Sequence, residues 1–275
     1  MLYVTKFDGR KQPFEKSKVI RTCLRMHATP EQARKVADKV AKNLYDGIST
    51  KKILRMIFTY LKEYKPEIKH QIDLREAISM LRPKPDFELF IAFLLKSEGY
   101  EVQHNQIIQG KCIDHEIDAI ARKGNETVYV EVKHHFNSHT YTGLDVFLQA
   151  NSTFEDLKEG YKLGKNRINF NKALVVCNTK ISKHAKKYAE CRGINHIGWK
   201  YPEDRGLEKL IEEKKFYPIT FLKILDRANE EKFGNNGIVL LKQLVEIDIE
   251  KLHRMTRIPR RKLEKFVERA KQIIS

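Results

Sequence analysis

Apolar positions along this chain recur with two periods, and the places where one gives way to the other mark its organisation. The run Asp86-Phe87-Glu88-Leu89-Phe90-Ile91-Ala92-Phe93-Leu94-Leu95 is apolar nearly all round, which predicts a buried helix with Glu88 in its first turn, and Gly99 ends it. A period of two follows. It predicts a strand near Tyr100 to Gln103, a second through Glu116-Ile117-Asp118-Ala119-Ile120 and a third through Val128-Tyr129-Val130-Glu131-Val132-Lys133. On the third strand Glu131 and Lys133 share one side, Val130 and Val132 point the other way into a core, and a hairpin brings Asp118 alongside. A helix from Leu144 to Leu157, the apolar strand Ala173 to Asn178, a helix from Ser182 to Cys191 and the segment Ile194 to Trp199 complete the series.

Helical spacing dominates on either side. Val4-Thr5-Lys6-Phe7 reads as a strand entering a hairpin turn at Asp8-Gly9, with Pro13-Phe14 leading the return strand. Helices are predicted over Ser17 to His27, Pro30 to Leu44, Lys51 to Glu63 and about Pro66 to Leu81. Arg82-Pro83-Lys84-Pro85 then forbids helix continuation and forms a short, stiff joint. Beyond Trp199 strand signals nearly vanish, and Leu207 to Ile274 reads as helices broken at Pro218 and at Asn235-Asn236-Gly237. The last of them groups Leu263, Phe266, Val267, Ala270 and Ile274 on one face. The predicted architecture is an α/β multidomain chain with units at residues 1–84, 85–202 and 203–275.

Asp118, Glu131 and Lys133 carry the candidate chemistry. Carboxylates brought to one point repel unless a cation neutralises them, and hard oxygen ligands suit Mg²⁺ or Mn²⁺. An ammonium beside them orients a metal-bound water or stabilises a phosphate, so the trio fits metal-dependent phosphodiester cleavage. The plain alternative is a solvated Glu131/Lys133 pair on an exposed sheet face.

The helix-strand-strand-strand-helix-strand order, with these residues and the Asn178-Thr179-Lys180 turn, resembles the PD-(D/E)XK nuclease fold, in its Mrr-like restriction endonuclease branch. That resemblance implies Asp118 and Glu131 as metal ligands, Lys133 as the catalytic lysine and Glu88 as a helix-borne acidic residue supporting the metal. Glu88 equally reads as favouring the positive end of its helix, with Asp86 as N-cap. Asp114 and Glu116 share the parity of Asp118, as extra ligands or a polar edge; Glu116 stands where that family commonly has glycine, which leaves the number of metals open. Gln149 matches a position where the branch places a glutamine near the site, and equally reads as a solvated helix residue. His134, His135 and His139 fit no zinc spacing and read as DNA-facing or exposed.

Composition narrows the partners. With 53 Lys+Arg against 36 Asp+Glu the 275-residue chain carries a formal charge of +17, which points to a polyanion, although lysine-rich surfaces also serve solubility and heat resistance. Residues 251–275 hold nine Lys/Arg against two Glu, suited either to DNA phosphate or to a solvated packing face. Leu244 to Pro259 loosely resembles helix-hairpin-helix DNA-binding repeats, without their usual glycine. No apolar run reaches membrane-spanning length and no signal peptide is read at Met1, so a cytoplasmic protein with no membrane partner is expected. Cys23, Cys112, Cys177 and Cys191 lack C-x-x-C spacing and read as reduced thiols.

The hairpin and helices of residues 1–84, including Tyr45-Asp46-Gly47-Ile48-Ser49-Thr50, resemble the ATP-cone, a regulatory nucleotide-binding module. The resemblance implies that Val4, Lys6, Lys18, Val19 and Thr50 line a pocket for ATP or dATP, and Lys6 and Lys18 do supply converging positive charge. Phe7 stands where that family usually has a second basic residue; Arg82 and Lys84 are candidates to replace its charge. No Walker A motif occurs, so the nucleotide would regulate and not be hydrolysed. The expectation is a cytoplasmic, Mg²⁺-dependent DNA endonuclease, acting as a homodimer because duplex cutting needs two sites. A nucleotide-responsive DNA-binding regulator and a Holliday-junction-type resolvase are the alternatives.

Overall fold

The computed structural model describes residues 2–274 except 27, 67, 69 and 70. Strands β1 (Tyr3–Thr5) and β2 (Lys11–Pro13) form the expected hairpin, which turns at Gly9 in a left-handed conformation, φ +79°, that glycine adopts freely. Helix α1 (Lys16–Arg25), helix α2 (Pro30–Lys42), strand β3 (Ile48–Ser49) and helix α3 (Thr50–Leu61) follow. The prediction for α1 ran on to His27, which lies outside the described residues. Strand β3 runs parallel to β1 and makes a three-stranded sheet in the order β2-β1-β3. Thr29 and Gln32 close a capping box that fixes the start of α2. Val4, Val19, Cys23, Val36, Val40, Ile48, Ile57 and Leu61 fill the core of this N-terminal domain.

The helix predicted from Pro66 is shorter. Residues 67, 69 and 70 lie outside the described ones, but α4 (Leu74–Met80) begins where Asp73 accepts hydrogen bonds from the N–H groups of Arg75 and Glu76. Just before it Ile72 donates its N–H to the Phe221 carbonyl at 3.1 Å and Gln71 bridges Leu222, contacts that hold this stretch extended.

After the turn at Pro83–Phe87 come α5 (Glu88–Ser97), β4 (Glu101–Gln109), β5 (Asp114–Lys123) and β6 (Glu126–Lys133). Then follow β7 (Tyr141–Thr142), α6 (Leu144–Lys162), β8 (Lys172–Cys177), β9 (Lys180–Ile181), α7 (Lys183–Arg192) and β10 (Asn195–Ile197). Five strands form a mixed sheet, β10-β8-β6-β5-β4, antiparallel from β4 to β6 and parallel from β6 to β10. Both faces are covered, so the middle of β5 and β6, Ala119 to Ala121 and Val128 to Val130, is buried on both parities, as is much of the apolar strand β8. Helices α6 and α7 cover Ile120, Tyr129, Ala173, Val175 and Cys177. Helix α5 covers Ala121, Val128, Val130 and Val176 on the other side.

Helices α8 (Leu207–Glu213), α9 (Arg227–Asn235), α10 (Leu241–Glu246), α11 (Ile249–Thr256) and α12 (Arg260–Ile274) end the chain. Packing does not pause at residue 203: Leu241, Leu244, Leu252, Leu263, Phe266 and Ala270 join the core of the α5 face, as do Ala77, Ile78 and Leu81 at α4. In α12 it is Ile273 that is buried, and Ile274 only partly, because the last step along the apolar face is three residues and not four. Arg257 occupies the hairpin between α11 and α12 with φ +57°, the conformation for which the missing glycine would be suited. Gly234 of α9 is required by close approach. A Cβ there would stand 2.5 Å from the ion pair of Arg82 with the buried Asp86. All four cysteines are free thiols, Cys23 and Cys177 buried and Cys112 and Cys191 exposed.

Glu212 of α8 is mostly buried, and burial, followed by repulsion from Glu208, pushes its carboxyl up to about 7. The unfolded chain ionises this group at lower pH than the folded one does, so its penalty appears as pH rises from the ordinary carboxylate range to about 7 and is constant above that. Glu212→Gln is therefore expected to stabilise the protein by on the order of 1–2 kcal/mol at pH 8, after solvent screening, and by little at pH 4. Thermal unfolding of both proteins across that range checks it.

Candidate active site

The sheet ladder breaks on both sides of Asp118. Strands β5 and β6 pair from Lys123 and Glu126 as far as Ala119 and Val130, then part. On the other side the β4–β5 ladder skips Asn105, which lies opposite Asp118 and has φ +53°. Strand β6 stays paired to β8 through Lys133, but the N–H of Val132 turns to Asp118, whose Oδ2 accepts it at 2.7 Å. Asp118 is thus a buried carboxylate fixed by a backbone donor where the sheet opens.

The first turn of α5 sets Glu88 against it. Burial first and the Asp118 charge second push the Glu88 carboxyl up to about 7. Glu131 accepts a hydrogen bond from the Tyr129 hydroxyl at 2.7 Å, and burial, then Asp118, raises its pKa above the ordinary value. Lys133, two residues further on the same strand face, is exposed, and its charge favours the ionised Glu131. Asp86 is not a cap for this helix: Arg82 holds it by two hydrogen bonds of 2.7 and 2.8 Å, and Phe87 takes the N-cap position without a side-chain bond.

Lys84 is the residue that sequence reasoning put elsewhere. Its ammonium lies 2.8 Å from Glu116, 3.3 Å from Glu88 and 3.5 Å from Asp118, and the Glu116 hydrogen bond is the chief cause that raises its pKa. Neither Arg82 nor Lys84 therefore supplies charge to the N-terminal domain, since Arg82 is also bonded to Asn235 at 2.9 Å. A proline-flanked lysine carries no periodic signal that could have placed it. Tyr129 does carry one, because it shares the strand parity of Glu131.

Other candidates fall outside this cluster. Asp114 is exposed at the start of β5, and Gln149 is exposed on α6. His134 and His135 do not face solvent as expected. The first bonds the Ile78 carbonyl and packs edge-on against Phe87; the second bonds Thr142, and burial lowers the pKa of both.

Among the described residues no three His, Cys, Asp or Glu side chains stand close enough together to hold a metal ion as they are. The donor chemistry does fit a hard divalent cation: Glu88 and Asp118 are two half-buried to buried carboxylates in contact, and a cation, Lys84, already lies between them.

In the N-terminal domain Val4 and Val19 lie in the core and not on an open wall. Thr5 pairs with Ser49 in parallel register, so Lys6 and Thr50 are the residues that follow this last pair, and Lys18 stands in the first turn of α1, paired with Glu15 at 2.6 Å.

Known protein families match successive parts of the chain. The ATP cone domain family matches residues 2–77, and the restriction endonuclease family matches residues 78–198. The chain is therefore an ATP cone joined to a restriction endonuclease-like domain, which suggests a nuclease, and a helical C-terminal region. A third family, described as AF1548-like, C-terminal, matches residues 217–274. An uncharacterized protein of Archaeoglobus fulgidus is 36% identical over 184 residues, 67% of this chain and 99% of that protein. A second uncharacterized protein of that organism is 47% identical over 47 residues, 17% of this chain and 92% of its own length. The crystal structure of AF1548, a protein of unknown function, superposes with a TM-score of 0.60 at 35% identity, covering 68% of this chain and 96% of that one. The chain belongs to the AF1548-like family.

Removing the ammonium leaves two carboxylates in contact without a counter-charge. Lys84→Ala is expected to lower metal-free stability by about 1 kcal/mol, given the exposure of the lysine, and to enlarge the thermal shift that Mn²⁺ produces. Differential scanning calorimetry with and without Mn²⁺ measures both.

Proposed function

We propose that the protein is a cytoplasmic, Mg²⁺- or Mn²⁺-dependent DNA endonuclease that works as a homodimer and is regulated by ATP or dATP bound to its cone. The observation that carries this reading is the meeting of Glu88 and Asp118 at a break in the sheet, with Glu131 and Lys133 on the adjoining strand. Glu88, Asp118 and Glu131 would hold the metal, which when bound neutralises carboxylate and phosphate charge and acidifies a water. Tyr129 orients the Glu131 carboxylate through its hydroxyl. Lys133 offers its ammonium to the scissile phosphate and steadies the charge that develops there. Water attacks phosphorus, the bond from phosphorus to the 3′ oxygen breaks, and that oxygen takes a proton, leaving a 5′-phosphate and a 3′-hydroxyl.

DNA grip is assigned to basic surface away from the carboxylates, including Arg254, Arg257 and Arg261 of the α11–α12 hairpin. Such contacts to phosphate add affinity without base choice. Among the described residues no helix is long and apolar enough to cross a membrane. A second reading, a nucleotide-responsive DNA-binding regulator without cleavage, draws on Lys84, whose ammonium already neutralises the carboxylates.

Plasmid nicking separates the two, and a branched duplex beside it scores the resolvase activity. Asp118→Ala and Glu131→Ala are each expected to abolish Mg²⁺-dependent nicking while DNA affinity stays within about two-fold, because phosphate contacts lie elsewhere. Undiminished nicking by both variants overturns the nuclease; no nicking by the wild-type protein favours the regulator.

A further inference from the structure

The hairpin that carries Lys6 is docked on the nuclease domain. Phe7 stacks on His139, ring centroids 4.1 Å apart and planes 9° from parallel, and Tyr141 is near enough to help raise the Arg10 pKa after Asp8, its chief cause. Tyr141 belongs to β7, whose pairing with β9 sets it directly against Lys180. Lys6 consequently faces like charges from both domains: Lys18 from the cone, and Lys180 and Lys200 from the nuclease. The carboxylate that opposes them, Asp8, is already held by Arg10 at 2.5 Å. Glu208 is shared between Lys200 at 3.3 Å and Arg25 at 3.2 Å, and Glu15, bonded to Lys18, is shared with Arg21 and Lys6. Burial first, then Lys18 and Lys180, lowers the Lys6 pKa, with Asp8 opposing them.

We propose that the polyphosphate of a nucleotide held by the cone lies between the two domains, gripped by Lys6 and Lys18 from one side and by Lys180 and Lys200 from the other. This rests on the reading that the cone binds nucleotide. It accounts for Phe7, which stands where the resembled cone family usually has a second basic residue: the charge comes from across the interface, and the phenyl ring ties the hairpin to His139 instead. His139 lies on the loop that leaves β6 just after Lys133, so an anion drawing the lysines together tightens the loop that begins at the candidate active site.

Calorimetric titration of the full chain with ATP, dATP and inorganic triphosphate tests the site. Lys180→Ala/Lys200→Ala is expected to weaken all three by about ten-fold or more, and Lys180→Arg/Lys200→Arg to stay within a few-fold of wild type. Thermal unfolding confirms that both variants fold. If the wild-type protein binds none of the three, the cone reading fails and this inference with it. If the wild type and the alanine variant bind equally well while Lys18→Ala does not, the cone binds alone and only the shared site is overturned. If the alanine variant keeps its nucleotide affinity but loses affinity for DNA measured without nucleotide, the two lysines serve DNA and the inference is likewise overturned.

Discussion

Every backbone donor buried in a sheet must find an acceptor, and at Asp118 this requirement shapes the molecule. Strands β5 and β6 separate after Ala119 and Val130, and the orphaned Val132 N–H is satisfied by the Asp118 side chain. A carboxylate spent in this way cannot rotate into solvent. It sits where the first turn of α5 must place Glu88, and two carboxylates in low dielectric demand a cation. Lys84 answers from the joint that precedes the helix. A break in backbone pairing therefore sets the electrostatics of the site and anchors the chain between the first two domains.

Local signals made much of this legible in sequence. Asp8-Gly9 specifies its turn through glycine's freedom at φ +79°, and strand parity alone groups Glu131 with Lys133. Long-range signals were silent. Lys84 finds its partners through charge 32 residues away at Glu116, which no periodicity encodes. The stretch before α4 is extended because Phe221 and Leu222 hold it, and its helical pattern gave no warning. Val4 and Val19 show the converse ambiguity: an apolar residue at the edge of a ligand pocket and one in a core look the same in sequence, and here both are core.

The cone and the nuclease domain touch through unlike contacts. At the hairpin they are a ring stack and like charges brought near one another, with an excess of positive charge that water can reach. At α4 apolar packing dominates, with His134 bonded to the Ile78 carbonyl and Thr220 of the C-terminal region donating its hydroxyl to the Ala77 carbonyl at 2.7 Å. The first kind responds to anions and ionic strength, and the second hardly does.

The apolar face of α4 has a consequence for how such a chain could arise or be dismantled. Ala77, Ile78 and Leu81 precede the prolines of the joint, yet they are buried by residues that follow it. Structural ownership and chain order disagree by one helix. A recombination event or protease cut at residues 82–85 would therefore leave the cone bearing a bare apolar strip and the remainder with the matching hollow, whereas a cut before α4 would keep that helix with the residues that bury it.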